Sequence, residues 1–423
     1  MDIEKNNLFS NTREFLLVSS VLIAVILIRL LFLYQEYKEF LDKPFFYTTA
    51  TILEQYTKSK NNRKYTILKL KTKDGYLIYT ISNIKQNIKY HRIRVKIIID
   101  KNLIFKDYLG SFYSQVIIRE IYSKIENRQK LVYQYIASQH INIKIQSFYS
   151  AIFLATPLIK ELRDDVSKLG INHLVALSGF HLAILWGIIF GSLNILYRPF
   201  QQNFFPYRYN LIDLGFITII ILSLYLWFVG YPPSLVRSLA MVVSAWIAII
   251  LGVRFVSFKF LAVIVLLLLS LNPNFIISIS FWFSVAGVFY IYLILKYSLN
   301  SYKLLISIIY IPFGIFILML PIVHIFFQTT NPYQLLSPLL SILFTIFYPL
   351  SLMAHILNIG WIFDDILLFI FSLANSFIDN ILPQDIVLPY IISSIFSIWS
   401  RLLFMITLFM AILYGTYLFW SIF

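Results

Sequence analysis

The chain has 423 residues, of which 59% are hydrophobic and 13% charged, with a formal net charge of +15. Soluble domains carry roughly 25% charged residues, so this composition excludes an ordinary soluble enzyme and reads as a polytopic α-helical membrane protein. The absence of cysteine excludes disulfides, thiol chemistry and Cys-based metal sites. His91, His140, His173, His181, His324 and His355 show no H-x-H or H-E-x-x-H grouping, so no metal or cofactor is expected.

Residues 1–45 read as an N-terminal transmembrane anchor. Phe15 to Leu33 is an apolar run with Arg29 near its far end, no small-residue cleavage site follows, and Tyr34 and Tyr37 resemble an interfacial belt. Residues 46–106 then change character. They hold fourteen Lys/Arg against three acids, +11 of the chain's +15, and a positive surface of that strength attracts polyanions. Strands are expected at 46–56, 64–71, 76–81 and 93–99, with a short last one at 103–105. Thr66, Leu68 and Leu70 share one face, Leu77, Tyr79 and Ile81 another, and Asp74-Gly75 is a hairpin signal. Five short strands suit a small OB-like β-barrel. Arg63, Lys64, Lys69, Lys71, Arg92, Arg94 and Lys96 are the candidate phosphate contacts. Tyr47, Tyr56, Tyr65, Tyr76, Tyr79, Tyr90 and Phe105 could stack bases, with Tyr65 and Tyr76 as the expected exposed pair. The plain alternative for the lysines is a solvated face.

Residues 107–170 read as an amphipathic, interfacial helical connector, with Ile117, Ile118, Ile121, Tyr122 and Ile125 at helical spacing and a short apolar run, Phe148–Leu162. Residues 171–423 hold most of the hydrophobic segments, nine to eleven in the whole chain, several of them expected to be broken. Prolines punctuate them (Pro232-Pro233, Pro273, Pro312, Pro321, Pro332, Pro338, Pro349, Pro383, Pro389), and interruptions of this kind favour broken helices around a cavity over plain anchors.

Two polar clusters stand out there. In Asn172-His173-Leu-Val-Ala-Leu-Ser178-Gly179-Phe-His181, Ser178 and His181 are three apart and share a helix face. Either these groups make interhelical hydrogen bonds, or they line a polar passage. In Gly230-Tyr-Pro-Pro233-Ser234-Leu-Val-Arg237-Ser238, Pro233 or Ser234 opens a helix and sets Arg237 between apolar runs. Arg237 is either a snorkelling interfacial arginine or a guanidinium at a pore wall, with Asp213 as a candidate partner.

These residues carry a resemblance. Gly170-Ile-Asn-His173 through Ser178-Gly179-Phe-His181 resembles the GlsHLlAiSGlH signature of the bacterial competence-protein family ComEC. Pro233-Ser234-Leu-Val-Arg237-Ser-Leu-Ala-Met241 is similar to its PSvlRAxxM segment, and Pro273 with Phe281-Trp-Phe-Ser284-Val-Ala-Gly287 to its P…FqLSfxAv stretch. The chain departs at Ser238, Trp282 and Phe283. The resemblance implies a competence-type channel domain over 171–423, in the bacterial inner membrane, that passes single-stranded DNA into the cytoplasm, with the β-domain on the periplasmic side. His173, Ser178, Gly179, His181, Ser234, Arg237 and Asp213 would line the path. It also implies a periplasmic DNA receptor, a cytoplasmic motor or strand-capturing protein, and a separate nuclease as partners, with a homo-oligomer as an option. The family's metallo-β-lactamase-like domain has no counterpart motif here, so the expectation is a non-enzymatic short form. No P-loop occurs. Two other readings compete: an intramembrane hydrolase using Ser178 with His324 or His355, and a transporter of a small solute or lipid.

Overall fold

The computed structural model describes residues 8–9, 11–60, 63–82, 84, 86, 88–124, 129–253, 256–298, 302–375, 378–379 and 387–420. They form two compact units, one of residues 11–127 with 265–281, the other of 128–264 and 282–423.

The first unit starts with α1 (Thr12–Leu41), followed by strands β1 (Phe45–Lys60), β2 (Arg63–Thr72), β3 (Leu77–Ser82) and β4 (His91–Ile98), the short helix α2 (Phe105–Leu109), then β5 (Ser111–Tyr113) and β6 (Gln115–Lys124). The sheet order is β5-β3-β2-β1-β4-β6, with only the β3–β5 pair parallel. β2 and β3 are joined at Asp74-Gly75, where Gly75 has φ +94°, a conformation that costs a side-chain-bearing residue and not glycine. Leu68 and Leu70 turn inward as one face, with Ala50, Ile52, Ile78, Ile93, Val95 and Ile97. On β3 the inward residues are Ile78 and Thr80, so Leu77, Tyr79 and Ile81 look outward.

The sheet is six-stranded and open, not a closed five-stranded barrel. It is nevertheless curled. Laid flat, five gaps of ~4.8 Å would hold its edges ~24 Å apart. Yet β5 and β6, at opposite ends of the order, are separated by Ser114 alone, and Cα atoms two residues apart lie within ~7 Å. The Ser114 N–H donates to Tyr79 O (3.0 Å) and its hydroxyl to Ile98 O, so one residue ties the two ends together.

Two sequence expectations fail here for identifiable reasons. Residues 103–105 are not a strand. Phe105, Tyr108 and Leu109 sit at i, i+3 and i+4, and this short stretch follows the helical period as α2, with Tyr108 and Leu109 buried. Residues 115–124 are a strand and not part of a helical connector. The β4–β6 register skips a residue at Arg119, so Ile118 faces Val95 while Ile121 faces Ile93. A bulge inserts one residue into the alternation, and the resulting spacing of three imitates a helix.

The second unit is helical: α3 (Lys130–Ala137), α4 (Ile143–Leu154), α5 (Lys160–Lys168), α6 (Asn172–Val175), α7 (Gly179–Phe204), α8 (Asn210–Phe228) and α9 (Pro233–Ile250) come first. Next come α10 (Phe258–Leu271) and α11 (Ile279–Tyr297), of which residues 265–271 and 279–281 belong to the first unit and the rest to the second. α12 (Lys303–Leu305) passes through a π-turn at Ile306–Tyr310 into α13 (Ile311–Phe326). Then follow α14 (Ser337–Ile356), α15 (Asp364–Ser372), α16 (Val387–Phe396) and α17 (Arg401–Trp420). Among the described residues, eight helices are long and apolar enough to cross a membrane: α1, α7, α8, α9, α11, Lys303–Phe326, Pro332–Ile356 and α17. α10 is apolar but only ~21 Å long, short of a hydrocarbon core of roughly 30 Å.

α4 is buried within the helical unit. Ile145, Phe148, Tyr149, Ile152, Phe153 and Leu154 form the centre of a core with α5, α6, α14 and α15. Several prolines open elements rather than break them: Pro233 starts α9, Pro338 lies in a first turn, and Pro273 and Pro332 begin 3₁₀ turns. Pro312 instead follows the π-turn inside the continuous helix Lys303–Phe326. Pro199, Pro321 and Pro349 lie inside helices, and Pro383 falls outside the described residues.

Leu70 is fully buried between the sheet faces. Leu70→Ala is expected to destabilise the first unit by about 2–5 kcal/mol, read as a lower thermal midpoint of the detergent-purified chain.

Candidate functional site

The polar signature residues are assembled by helix starts. α6 ends at Ala176, whose backbone is extended, and after Leu177 Ser178 (φ −135°, ψ −179°) occupies the N-cap of α7. His181 is three residues on, the place that Glu or Gln takes in a capping box. Its Nδ1 accepts the Ser178 N–H at 3.4 Å and lies 3.4 Å from Ser178 Oγ. The neutral ring therefore carries its proton on Nε2, which is buried without a hydrogen-bond partner. The ring is wedged at 5.1 Å against both Phe344 and Tyr348 of α14.

The second signature locks onto the first. Ser234, in the first turn of α9, donates its hydroxyl to Leu177 O at 2.6 Å. One turn on, Ser238 Oγ donates to Ser234 O at 2.8 Å and lies where a Cβ on Gly179 would come within 3.1 Å. Gly179 thus permits the close approach of α7 and α9, which explains a glycine at N1 where nothing in the backbone angle demands one. Arg237 is 4% exposed, so it is not a surface arginine snorkelling to an interface.

His173 meets α14 instead. Its Nε2 lies 3.0 Å from Ser341 Oγ, whose own proton goes to Ser337 O. Part of the ring faces open space, yet protein surrounds it closely enough that desolvation holds its pKa down to about 4. Asp213 is not part of the cluster. It pairs with Arg208 (3.1 Å) and accepts from Tyr197 (2.7 Å), beside the end of the α8–α9 hairpin where Trp246 donates to Leu211 O. Nine residues along α9 put that level ~14 Å from Arg237. His324 and His355, the candidate partners of Ser178, have both nitrogens engaged elsewhere: His324 with Leu320 O and Thr330, His355 with Ser351 O and His140.

In the first unit the strand register gathers the basic residues. Across β4, β1 and β2 the outward rows read Arg92–Thr51–Lys71, Arg94–Thr49 and Lys96–Tyr47. Lys96 sits 3.7 Å over the Phe45 ring, a cation–π arrangement. Two cations are partly neutralised, Arg94 by Glu120 (3.5 Å) and Lys69 by Glu54 (3.4 Å). Burial disfavours the Lys69 charge, but Glu54 and Tyr79 outweigh it and its pKa ends raised. Tyr65 lies on β2 opposite Lys58 and is half-buried. Tyr76 is not an exposed platform. Its hydroxyl bonds Tyr108 (3.1 Å) and its ring packs against Phe40, Phe46, Tyr108 and Phe112. Phe45 and Tyr47 are the exposed aromatics between the cations. The side chains of Arg63 and Lys64 lie outside the described residues.

Sequence reasoning missed one constellation, His140–His355–Asp364, because its members are up to 224 residues apart. The only signal for it was a pair of acids, Asp364-Asp365, heading an apolar segment.

Membrane-length apolar helices, a hydroxyl–imidazole cluster at their starts and a basic sheet together define a polytopic membrane protein with a small β-domain. A family model described as Competence protein matches residues 157–417. The chain belongs to this competence protein family, in agreement with its ComEC-type signatures. Neither a curated protein nor a solved structure matches it.

Gly179→Ala is expected to lower the thermal midpoint and Gly179→Val to lower it further. Adding Ser238→Ala to Gly179→Ala should restore part of the loss, as a double-mutant cycle would register.

Proposed function

We propose that the chain is a membrane channel admitting one strand of DNA to the cytoplasm during natural transformation. It would sit in the bacterial inner membrane with the sheet on the periplasmic side. The family match carries this reading, since it covers the α6–α9 cluster and most of the helical unit. Family membership speaks for a role in competence-linked DNA uptake, and the residues supply a physical route.

The outward rows of the sheet offer phosphate contacts from Lys71, Arg92 and Lys96, with Phe45 and Tyr47 between them for base stacking. No base-edge reader is needed, which suits a carrier of any sequence. In the helical unit, His173 with Ser341, the half-buried Ser178 and the buried His181 and Arg237 are the polar groups beside which a strand would pass. Gly179 against Ser238 brings α7 and α9 close together at this level, so passage requires that contact to part. The driving force would come from a partner motor, a proton gradient or strand capture in the cytoplasm. A receptor outside and a separate nuclease complete the machinery, and no catalytic role is assigned to this chain. The engaged nitrogens of His324 and His355 weigh against the hydrolase reading.

Deleting the gene is expected to leave fluorescent DNA bound at the cell surface and to abolish its delivery to the cytoplasm. Undiminished delivery in the null strain would refute the proposal. With the full chain in nanodiscs, Lys71→Ala, Arg92→Ala or Lys96→Ala should each weaken single-stranded oligonucleotide binding across all sequences. Each should also reduce the slope of log affinity against log salt by about 0.7.

A further inference from the structure

His140, between α3 and α4, is fully buried, with its ring stacked on Tyr149 at 4.6 Å. Its Nδ1 lies 2.9 and 3.0 Å from the two oxygens of Asp364, and its Nε2 lies 2.9 Å from Nε2 of His355 on α14. His355 Nδ1 in turn lies 2.6 Å from Ser351 O. Around them, Gln139 donates to His355 O (3.1 Å) and accepts the Gly360 N–H (2.8 Å), while Tyr135 donates to His355 O (2.8 Å). Asp364 retains 17% exposure and lines a cavity of about 1100 Å³ with Gln139, Lys144, Glu161, Trp361 and Asp365.

Hydrogen counting along this chain leaves little freedom. A carbonyl only accepts, so His355 Nδ1 carries a hydrogen and its Nε2, in the neutral ring, is a lone pair. The 2.9 Å contact between the two Nε2 atoms then requires a hydrogen on His140 Nε2. His140 Nδ1 is left either to accept from a protonated Asp364 or, in an imidazolium, to donate to its carboxylate. In both cases the triad holds one proton more than an ionised carboxylate and two neutral imidazoles would. Remove that proton, and Nδ1–H of His140 turns to the carboxylate while two lone pairs face each other across 2.9 Å.

We propose that Asp364, His140 and His355 are a proton-binding relay that takes one proton from the cavity and uses it to fasten the α3–α4 junction to α14. Asp364 is the entry group. Burial raises its pKa, an effect that His140 opposes and Asp365 reinforces. The other charges at the cavity are Lys160 and Lys144, the latter held by Asp165 (3.0 Å) and Glu161 (3.7 Å). From α4, Tyr149 faces both rings, its hydroxyl buried and without a hydrogen-bond partner. α14 also carries Ser341, Phe344 and Tyr348, which hold His173 and His181. Release of the proton therefore loosens the helix that backs the polar cluster. The relay itself does not depend on what the cluster transports.

Asp364→Asn isolates the proton. An Asn amide can donate to His140 Nδ1 and keep all three hydrogen bonds with nothing left to ionise. For the full chain in nanodiscs, the thermal midpoint of the parent should fall as pH rises above neutrality, and that of Asp364→Asn should stay level. Equal alkaline slopes in the two proteins would overturn the proposal. Should the variant fail to fold, ¹⁵N-histidine spectra of the parent decide the matter. A scalar coupling between the two Nε2 nuclei at neutral pH, lost in alkali, is the expected result, and its absence at neutral pH would also overturn the relay.

Discussion

The carbonyl of Leu177 needs a donor, and the arrangement of the polar cluster follows from how it gets one. The break between α6 and α7 frees backbone groups in apolar surroundings, where an unsatisfied carbonyl is costly. Ser234 reaches across from the start of α9 to supply the hydrogen. That bond sets the level at which α9 meets α7, which puts Ser238 against Gly179 and fixes the turn that His181 caps. Two sequence motifs over fifty residues apart are thus the two halves of one helix-start joint.

How much of this could be read from the chain depends on the range over which each pattern acts. Local chemistry was legible: Asp74-Gly75 gave the turn, Leu68 and Leu70 gave the inward face, and alternation put Arg92, Arg94 and Lys96 on one side of β4. The spacing of Ser178 and His181 gave a shared helix face, though not that one caps the other. Failures came where a single residue shifts the period. The extra residue at Arg119 made a strand scan as a helix, and three apolar residues at 103–105 concealed the first turn of α2. Long-range pairings were out of reach: Asp213 had no sequence mark favouring Arg208 over Arg237, and His140 gave no hint of Asp364.

Tyr76 and Tyr47 show the same limit in another form. Both are tyrosines in a basic β-region, and composition alone gives each the same chance of meeting a nucleobase. Their fates diverge because β1 offers Tyr47 to the outer row beside Lys96, while Tyr76 follows the turn at Gly75 and falls into the aromatic cluster with Phe40 and Tyr108. The outcome is set by parity along the strand and by what covers the far side of the sheet.

That cluster also has a mechanical meaning. Phe40 is a core residue of the sheet and Tyr37 packs on the same core, although both belong to the last turns of α1, and Tyr37 donates to Leu103 O at 2.5 Å. Helix and sheet therefore pivot as one lever. A helix of 30 residues is ~45 Å long, but its apolar run, Phe15–Leu33, is only ~28 Å and matches a hydrocarbon core of roughly 30 Å. The last two turns therefore project beyond the apolar layer, and it is on these turns that the sheet is seated. The anchor thus serves as a post that holds the cationic rows clear of the lipid tails.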